Sequence, residues 1–120
     1  MVTQLFAIER AAIEAIASQY PELSGPILAQ LQVVLVEKRT NAGAGFYTDF
    51  EYNVEVPSIS APSPIGEPFA EVAGLEHGMG FLLALRDGKM AYLEGYSFEE
   101  VTVPLAFETI SFAMKSSPLQ

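Results

Sequence analysis

Residues 80–98, GFLLALRDGKMAYLEGYSF, decide the fold. Two apolar segments, residues 81–85 and 89–98, flank Asp87 and Gly88, a pair that readily takes the positive φ angles of a two-residue type I′ turn. The pattern therefore predicts a β-hairpin. Alternation along the second strand predicts one face made of Met90, Tyr92, Glu94 and Tyr96, and an opposite face made of Ala91, Leu93 and Gly95.

Glu94 is the unusual residue of this hairpin, because a carboxylate occupies the middle of a strand between Leu93 and Gly95. A face of one Met, two Tyr and one Glu is amphipathic and suits a shallow pocket or an interface. The structural alternative is an ion pair with Arg39 or Arg86, which would offset partial burial of the carboxylate. Acid–base chemistry would require Glu94 to meet a second carboxylate, such as Glu37, Asp49 or Glu51.

Two helices are predicted before the first strand. Apolar residues at steps of three and four predict an amphipathic helix over residues 3–19, with Thr3 as its N-cap and Pro21 as its stop. Its charged residues are expected to point away from the apolar face: Glu9, Arg10 and Glu14. Ser24 and Pro26 suit the first turn of a second helix.

The end of the second helix is ambiguous in the sequence. The helical pattern could continue through Val34 and Leu35, but the run VVLV is β-branched and favours a strand from about Gln32 to Thr40. The glycine-containing turn TNAGAG follows, and alternation over residues 46–53 then predicts an antiparallel, half-buried strand. Its two faces are Phe46, Thr48, Phe50 and Tyr52 on one side, and Tyr47, Asp49, Glu51 and Asn53 on the other.

The remaining segments complete a single domain over residues 1–120. Four prolines predict an extended surface loop at 57–68, residues 69–73 form a short strand, and the tail after Pro104 fits a strand better than a short helix. The sum is an α+β fold, in which two N-terminal helices pack on one face of a four- to six-stranded, mainly antiparallel sheet.

Composition limits the classes of partner. Fifteen acidic and six basic residues give a net charge of −9, which disfavours nucleic acid and membrane surfaces. The chain contains no cysteine, so disulfides and thiolate chemistry are excluded. The first twenty residues lack the basic N-terminal region of a signal peptide, and charged residues interrupt their apolar ones. The sequence therefore predicts neither a signal peptide nor a membrane span here. We therefore expect a cytoplasmic protein of bacterial type.

Catalytic and metal motifs are not predicted. His77 is the single histidine and lies in the turn-like segment LEHGMG, where an exposed loop position is expected. One histidine and no cysteine supply too few of the ligands that a zinc site commonly uses. Gly43 and Gly45 precede a strand and lack the lysine and helix of a phosphate-binding loop, so a hairpin turn explains them. The sequence predicts no catalytic residue, no metal ligand and no cofactor.

A resemblance to a known family lies in two segments, TNAGAGFYTDFEYNV and GFLLALRDGKMAYLEGYSFEEVTVP. Together they resemble a family of small, uncharacterised bacterial proteins with a TGxGFYTxF-like strand and a GFxLxxRDGxxxxLEGYxxxxxxWP-like hairpin. The resemblance implies an intracellular bacterial α+β domain and no established activity. This chain departs from the pattern at Ala42, at the longer 57–68 linker, and at Val103, where an aromatic residue is usual.

Two classes of function remain from the sequence. The first is a non-enzymatic interaction domain of regulatory or immunity-like type, whose acidic surface binds a basic protein. The second is a small-molecule-binding protein or hydrolase, with Arg39, Tyr47, Glu94 and Tyr96 around a pocket. A homodimer that uses the hairpin edge or the Tyr-rich face is a further possibility.

Overall fold

Two α-helices precede a six-stranded antiparallel sheet. The computed structural model describes residues 4–115, so the predicted N-cap Thr3 lies outside the described residues. The elements are α1 (Ala7–Gln19), a 3₁₀ turn (Pro21–Leu23), α2 (Ser24–Val33), β1 (Leu35–Asn41), β2 (Gly45–Glu51), β3 (Phe69–Val72), β4 (Met79–Arg86), β5 (Lys89–Ser97) and β6 (Phe112–Lys115).

Helix α1 follows its apolar periodicity but starts later than predicted. Phe6 is the N-cap, the helix begins at Ala7, and the chain leaves it at Tyr20 before the proline. The buried positions include Ile8, Ala12, Ile13, Ile16 and Ala17, as the spacing indicates. The expectation that Glu9 points away from this apolar face is wrong, because its side chain is only 1% exposed.

Helix α2 ends two residues later than predicted, and β1 starts three residues later. Gln32 and Val33 belong to the helix, Val34 is extended (φ −66°, ψ 144°), and β1 starts at Leu35. Gln30 and Leu31, near the end of this helix, lie in the core, where both are at most 3% exposed. Three of the four residues of the VVLV run are extended, as their β propensity favours, and only Val33, which is 39% exposed, belongs to the helix.

The sheet has the strand order β1-β2-β5-β4-β3-β6, and every neighbouring pair is antiparallel. Residues from both helices share one hydrophobic core with inward residues of β2, β4 and β5, among them Phe46, Phe81 and Leu93. The predicted α+β class, with helices on one sheet face, is confirmed. Within residues 4–115, no helix is long and apolar enough to cross a membrane.

The central hairpin forms as predicted, with one difference in its second strand. Asp87 and Gly88 have φ angles of 54° and 79°, as a type I′ turn requires. Leu85 pairs with Met90, whereas Ala84 pairs with Tyr92, so Ala91 is an extra residue that forms a β-bulge. The bulge turns Met90 into the core at 1% exposure, and the prediction that Met90 shares a face with Tyr92 is therefore wrong.

A second bulge, in β1, reverses the sheet face toward which the later residues of the strand point. Val36 pairs with Phe50 and Lys38 pairs with Asp49, which leaves Glu37 as the extra residue. Beyond the bulge, Arg39 lies opposite Thr48, on the helix-covered face of the sheet.

The proline-rich loop is anchored to the hairpin by its isoleucines. The Ile59 N–H donates to the Gly88 carbonyl at 2.8 Å, and Ile65 pairs with Leu83 through two backbone hydrogen bonds of 2.9 Å. Both isoleucines are at most 5% exposed. This segment is therefore a partly buried extension beside β4 as well as the surface loop that its prolines predict.

The tail is a strand only at its end. Residues 105–111 lie in turns and irregular structure, and β6 begins at Phe112. The ring of Phe107 packs on that of Phe46 at 4.7 Å between centroids. The tail therefore closes one end of the helix-side core before it joins the sheet.

Candidate binding site

The sheet face opposite the two helices, which we name the open face, holds most of the predicted site residues. Cross-strand register places Tyr47 beside Glu94, Glu94 beside Leu82, and Tyr96 beside Gly80. The side chains of this face are mostly part-exposed, whereas those of the helix-covered face are buried. Its members from β2 to β3 include Tyr47, Asp49, Tyr92, Glu94, Tyr96, Gly80, Leu82, Phe69 and Glu71.

Glu94 and two tyrosines form a cluster at the centre of the open face. The Tyr47 hydroxyl donates to Glu94 Oε2 at 3.2 Å. The Tyr47 and Tyr92 rings meet edge to face, with their centroids 5.8 Å apart. The negative charge of Glu94 raises the pKa of Tyr47, so the phenol stays neutral beside the carboxylate. The cluster therefore presents one anionic group between aromatic rings.

Tyr96 extends this cluster into an aromatic strip. Its ring lies against Gly80 on the neighbouring strand, where a Cβ would collide with it. The Tyr96 and Phe98 ring centroids are 5.8 Å apart, and those of Phe98 and Phe69 are 6.0 Å apart. Burial raises the pKa of Tyr96, and the charges of Glu67 and Glu94 raise it further. The strip joins the centre of the open face to its β3 side.

Gly95, the residue after Glu94 in β5, is a glycine for a packing reason. It pairs with both Phe46 and Phe81 on the helix-covered face. A Cβ at this position would lie 2.6 Å from the Phe46 ring and 3.1 Å from the Met79 methyl group. The glycine therefore makes room for the Phe46 ring, which is the close neighbour that a glycine inside a strand requires.

Arg39, the fourth predicted site residue, lies away from the other three. Its Nε and Nη2 each donate to a different oxygen of Glu9 at 2.8 Å, and its guanidinium lies 3.4 Å over the Phe6 ring. Thr48, 0% exposed, donates its hydroxyl to the same carboxylate. The predicted ion pair between Arg39 and Glu94 is therefore wrong, because the Glu37 bulge turns Arg39 toward the helices.

Arg86, the alternative partner for Glu94, is also too far along the sheet. It pairs with Lys89 at the turn of the hairpin, whereas Glu94 lies opposite Leu82. The hydrogen-bond partner of the Glu94 carboxylate is the Tyr47 hydroxyl. The carboxylate therefore keeps further acceptor positions for a group from outside.

Charge on the open face differs from one end to the other. Arg86 and Lys89 lie at the hairpin turn. At the opposite end, Glu71 on β3 is joined by carboxylates of the flanking loops, namely Glu76, Glu99 and Glu100. Lys115 on the edge strand lies 3.6 Å from Glu71 in an exposed pair. The hairpin-turn end therefore carries both signs of charge, because Glu37, Asp49 and Asp87 lie near Arg86 and Lys89, whereas the opposite end is predominantly acidic.

Clefts lie at three places on or beside the open face. A cleft of about 250 Å³ borders Glu94, Tyr47 and Gly45. A cleft of about 420 Å³ at the hairpin turn includes both Arg86 and Asp49 in its lining. A cleft of about 550 Å³ at the acidic end, which we name the Phe69 cleft, is lined by Phe69, Glu71, Val72, Leu75, Glu76, His77, Gly78 and Phe98. His77 is exposed there, as predicted.

Two buried polar residues, Gln30 and Glu9, are not predicted to be buried, and their hydrogen bonds give them structural roles. Gln30 is 0% exposed, and its Nε2 donates to the Pro57 and Gly88 carbonyls at 2.7 and 2.9 Å. Its Oε1 accepts from the Tyr52 hydroxyl and the Met90 N–H. Glu9 fits a recognisable signal, since a glutamate at the third helical position commonly accepts the N-cap N–H, here Phe6 at 2.6 Å.

Metal ligation and known relatives give no further guide to the site. Among residues 4–115, no group of three or more His, Asp or Glu side chains could hold a metal ion. No protein-family model, no curated protein and no solved structure matches the chain.

Proposed function

We propose that the chain is a non-enzymatic protein-binding domain, whose open face binds a basic protein. The observation that carries this proposal is the cluster of Tyr47, Tyr92 and Glu94, held half-exposed at the centre of that face. Tyrosine supplies a large contact area with a polar end and is favoured at interfaces. A carboxylate beside aromatic rings suits a cationic side chain, which can bind the charge and a ring together.

The overall charge supports a basic partner. At −9, the chain attracts cationic surfaces over distances of about 10 Å at moderate salt and repels anionic ones. Such attraction chiefly speeds the encounter and selects the sign of the partner. A regulatory or immunity-like role, in which the chain masks a basic protein, follows from this chemistry. The resemblance described above supports placing that role in the bacterial cytoplasm.

The geometry favours this function over small-molecule binding or hydrolysis at Glu94. The cleft beside Glu94, at about 250 Å³, is below the usual range of about 300–1,000 Å³ for ligand pockets. Arg39, which the pocket hypothesis requires, lies on the other face of the sheet and is bound to Glu9. The three remaining residues form a surface that suits a protein better than a small molecule.

Selection from a display library of random peptides tests the proposal. Peptides enriched on the wild-type chain should be rich in Lys and Arg and should bind more weakly as salt rises. Glu94→Gln should weaken them several-fold, whereas Glu14→Gln, the same charge change on an exposed position of α1, should leave them unchanged. Enrichment of neutral peptides, or equal binding by both variants, would contradict the proposal.

A second copy of the chain is the other partner to be tested on this face. The hairpin edges are unsuitable for such a dimer, because β5 pairs with β2 and β4 pairs with β3. Light scattering gives the oligomeric state directly. A monomer leaves the open face for a different protein, whereas a dimer that Glu94→Gln dissociates would show that the face binds its own copy and would contradict the proposed basic partner.

A further inference from the structure

The Phe69 cleft lies at the acidic end of the aromatic strip. We infer that it binds a lysine or arginine side chain of the basic partner, next to the contacts made at Glu94. This inference rests on the proposed function, and it fixes which end of the open face receives the most basic part of the partner.

Aromatic walls form the apolar part of the cleft. Phe69 and Phe98 line it, and their ring centroids are 6.0 Å apart. Phe98 is 39% exposed, which is unusual for a phenylalanine in a folded domain, and its ring also contacts Tyr96 on the open face. The long methylene stem of a lysine or arginine packs on such surfaces while its charged end stays hydrated. A cation over a phenylalanine ring adds a further favourable contact.

Carboxylates form the polar part. Glu71 and Glu76 both line the cleft and are exposed. The pair between Glu71 and Lys115 is exposed on both sides at 3.6 Å, and such pairs contribute little to stability. A cation from a partner can therefore replace Lys115 at small cost. His77 is the cleft's remaining titratable side chain.

The loop that forms one wall is held in place before any partner arrives. The Glu100 carboxylate accepts the backbone N–H groups of Glu76 and His77, both at 2.8 Å. Gly78 has a φ of +70°, and a Cβ there would collide with the Ala70 carbonyl of β3. A wall fixed in this way lowers the ordering cost of binding.

The two other clefts on this face are poorer sites for a cationic side chain. The hairpin-turn cleft is lined by three carboxylates, Glu37, Asp49 and Asp87, but Arg86 and Lys89 also line it and offset much of their attraction for a cation. Among residues 4–115, by contrast, those that line the Phe69 cleft include no Lys or Arg. The cleft beside Glu94 has less than half the volume of the Phe69 cleft, at about 250 against 550 Å³. Size and charge together therefore select the Phe69 cleft.

A small probe tests the cleft without a protein partner. Nα-acetyl-lysine N-methylamide, followed by NMR, should shift the signals of Phe98, Gly78 and His77 saturably, whereas the norleucine analogue, which lacks the amine, should not. The double variant Glu71→Gln/Glu76→Gln should weaken the lysine probe about fivefold. The control Glu14→Gln/Glu55→Gln makes the same charge change at exposed positions elsewhere and should bind like the wild type.

Equal shifts from both probes, or equal binding by the two double variants, would overturn the inference. The selected basic peptides separate this result from a failure of the proposed function. If Glu94→Gln weakens those peptides and Glu71→Gln/Glu76→Gln does not, the open face binds the partner but the cleft does not, and the inference is wrong. If Glu94→Gln has no effect on them either, the proposed function is wrong as well.

Discussion

The helix-covered face and the open face of this sheet handle polar side chains in opposite ways. On the covered face, Gln30, Glu9 and Thr48 are at most 1% exposed, and each has hydrogen-bond partners within the chain. Throughout residues 4–115, every buried side-chain nitrogen or oxygen atom has such a partner. On the open face, Glu94 is part-exposed and accepts a hydrogen bond from Tyr47.

This difference separates stability from function. A buried polar group whose hydrogen bonds are all made within the chain favours one specific folded arrangement. Removing one of its partners lowers the free energy of unfolding substantially. A part-exposed carboxylate among tyrosines contributes little to folding and remains available to a partner. Substitutions on the covered face should therefore change stability, while substitutions on the open face should change binding.

The largest effect is expected at Gln30. Replacement by leucine removes hydrogen bonds to Pro57, Gly88, Tyr52 and Met90 inside the core. We expect a loss of about 4 kcal/mol in the free energy of unfolding, because four hydrogen bonds of about 1 kcal/mol each are lost at once, among them the buried one from the Met90 N–H. Urea denaturation measures it. A loss below about 1 kcal/mol would show that the covered face tolerates unpaired polar groups.

Glu9→Ala is expected to follow, with a loss of about 3 kcal/mol. The substitution leaves the Arg39 guanidinium and the buried Thr48 hydroxyl without their common acceptor. Because the Arg39 side chain is 23% exposed, it can recover part of its hydration. Glu14→Ala on the exposed side of α1 is the control and should change stability by less than about 0.5 kcal/mol. Equal losses in the two variants would contradict the structural role of Glu9.

One glycine from each face provides a direct contrast. Gly95→Ala forces a methyl group against the buried Phe46 ring and should cost about 2 kcal/mol. Gly80→Ala forces one against Tyr96, which is part-exposed and can move outward, so we expect less than about 1 kcal/mol. Thermal unfolding of the two variants compares them. A larger loss of stability for Gly80→Ala than for Gly95→Ala would show that the open face is the more rigid of the two.

Acidic pH should loosen the wall of the Phe69 cleft with a smaller effect on the whole fold. The N–H groups of Glu76 and His77 lower the pKa of Glu100 below its ordinary value of 4.5. The stabilisation from the ionised carboxylate is therefore complete above 4.5 and is lost as the pH falls through the lower pKa of the folded chain. NMR signals of the Glu76 and His77 amides should move together over that range in the wild type. In Glu100→Gln this transition should be absent.

The sequence predicts features that depend on local chemistry. The Asp87-Gly88 turn and the periodicity of α1 each depend on a few neighbouring residues, and both form as expected. The two bulges are not visible in the sequence, because Glu37 and Ala91 are not residues that mark a bulge. Each reverses the alternation beyond it, which moves Arg39 and Met90 to the covered face.

The candidate site follows the same rule, because its strand residues could be predicted and its cleft could not. Tyr47, Glu94 and Tyr96 lie on one face because the alternation within β2 and within β5 is regular where these residues pair. The Phe69 cleft could not be predicted, because it combines three β3 residues with loop residues near 77 and 98 that meet only in the folded chain. The burial of Glu9 likewise depends on Arg39, which lies thirty positions later in the chain.

The five tyrosines allow the division between the two faces to be measured in one experiment. Three lie on the open face, whereas Tyr20 and Tyr52 bond within the helix side, to the Gly66 N–H and the Gln30 amide oxygen. With ¹³C-labelled tyrosine rings, a basic peptide selected on the chain should shift the signals of Tyr47, Tyr92 and Tyr96 and leave the other two unchanged. Shifts at Tyr20 and Tyr52 without shifts at the open-face rings would contradict binding through the open face.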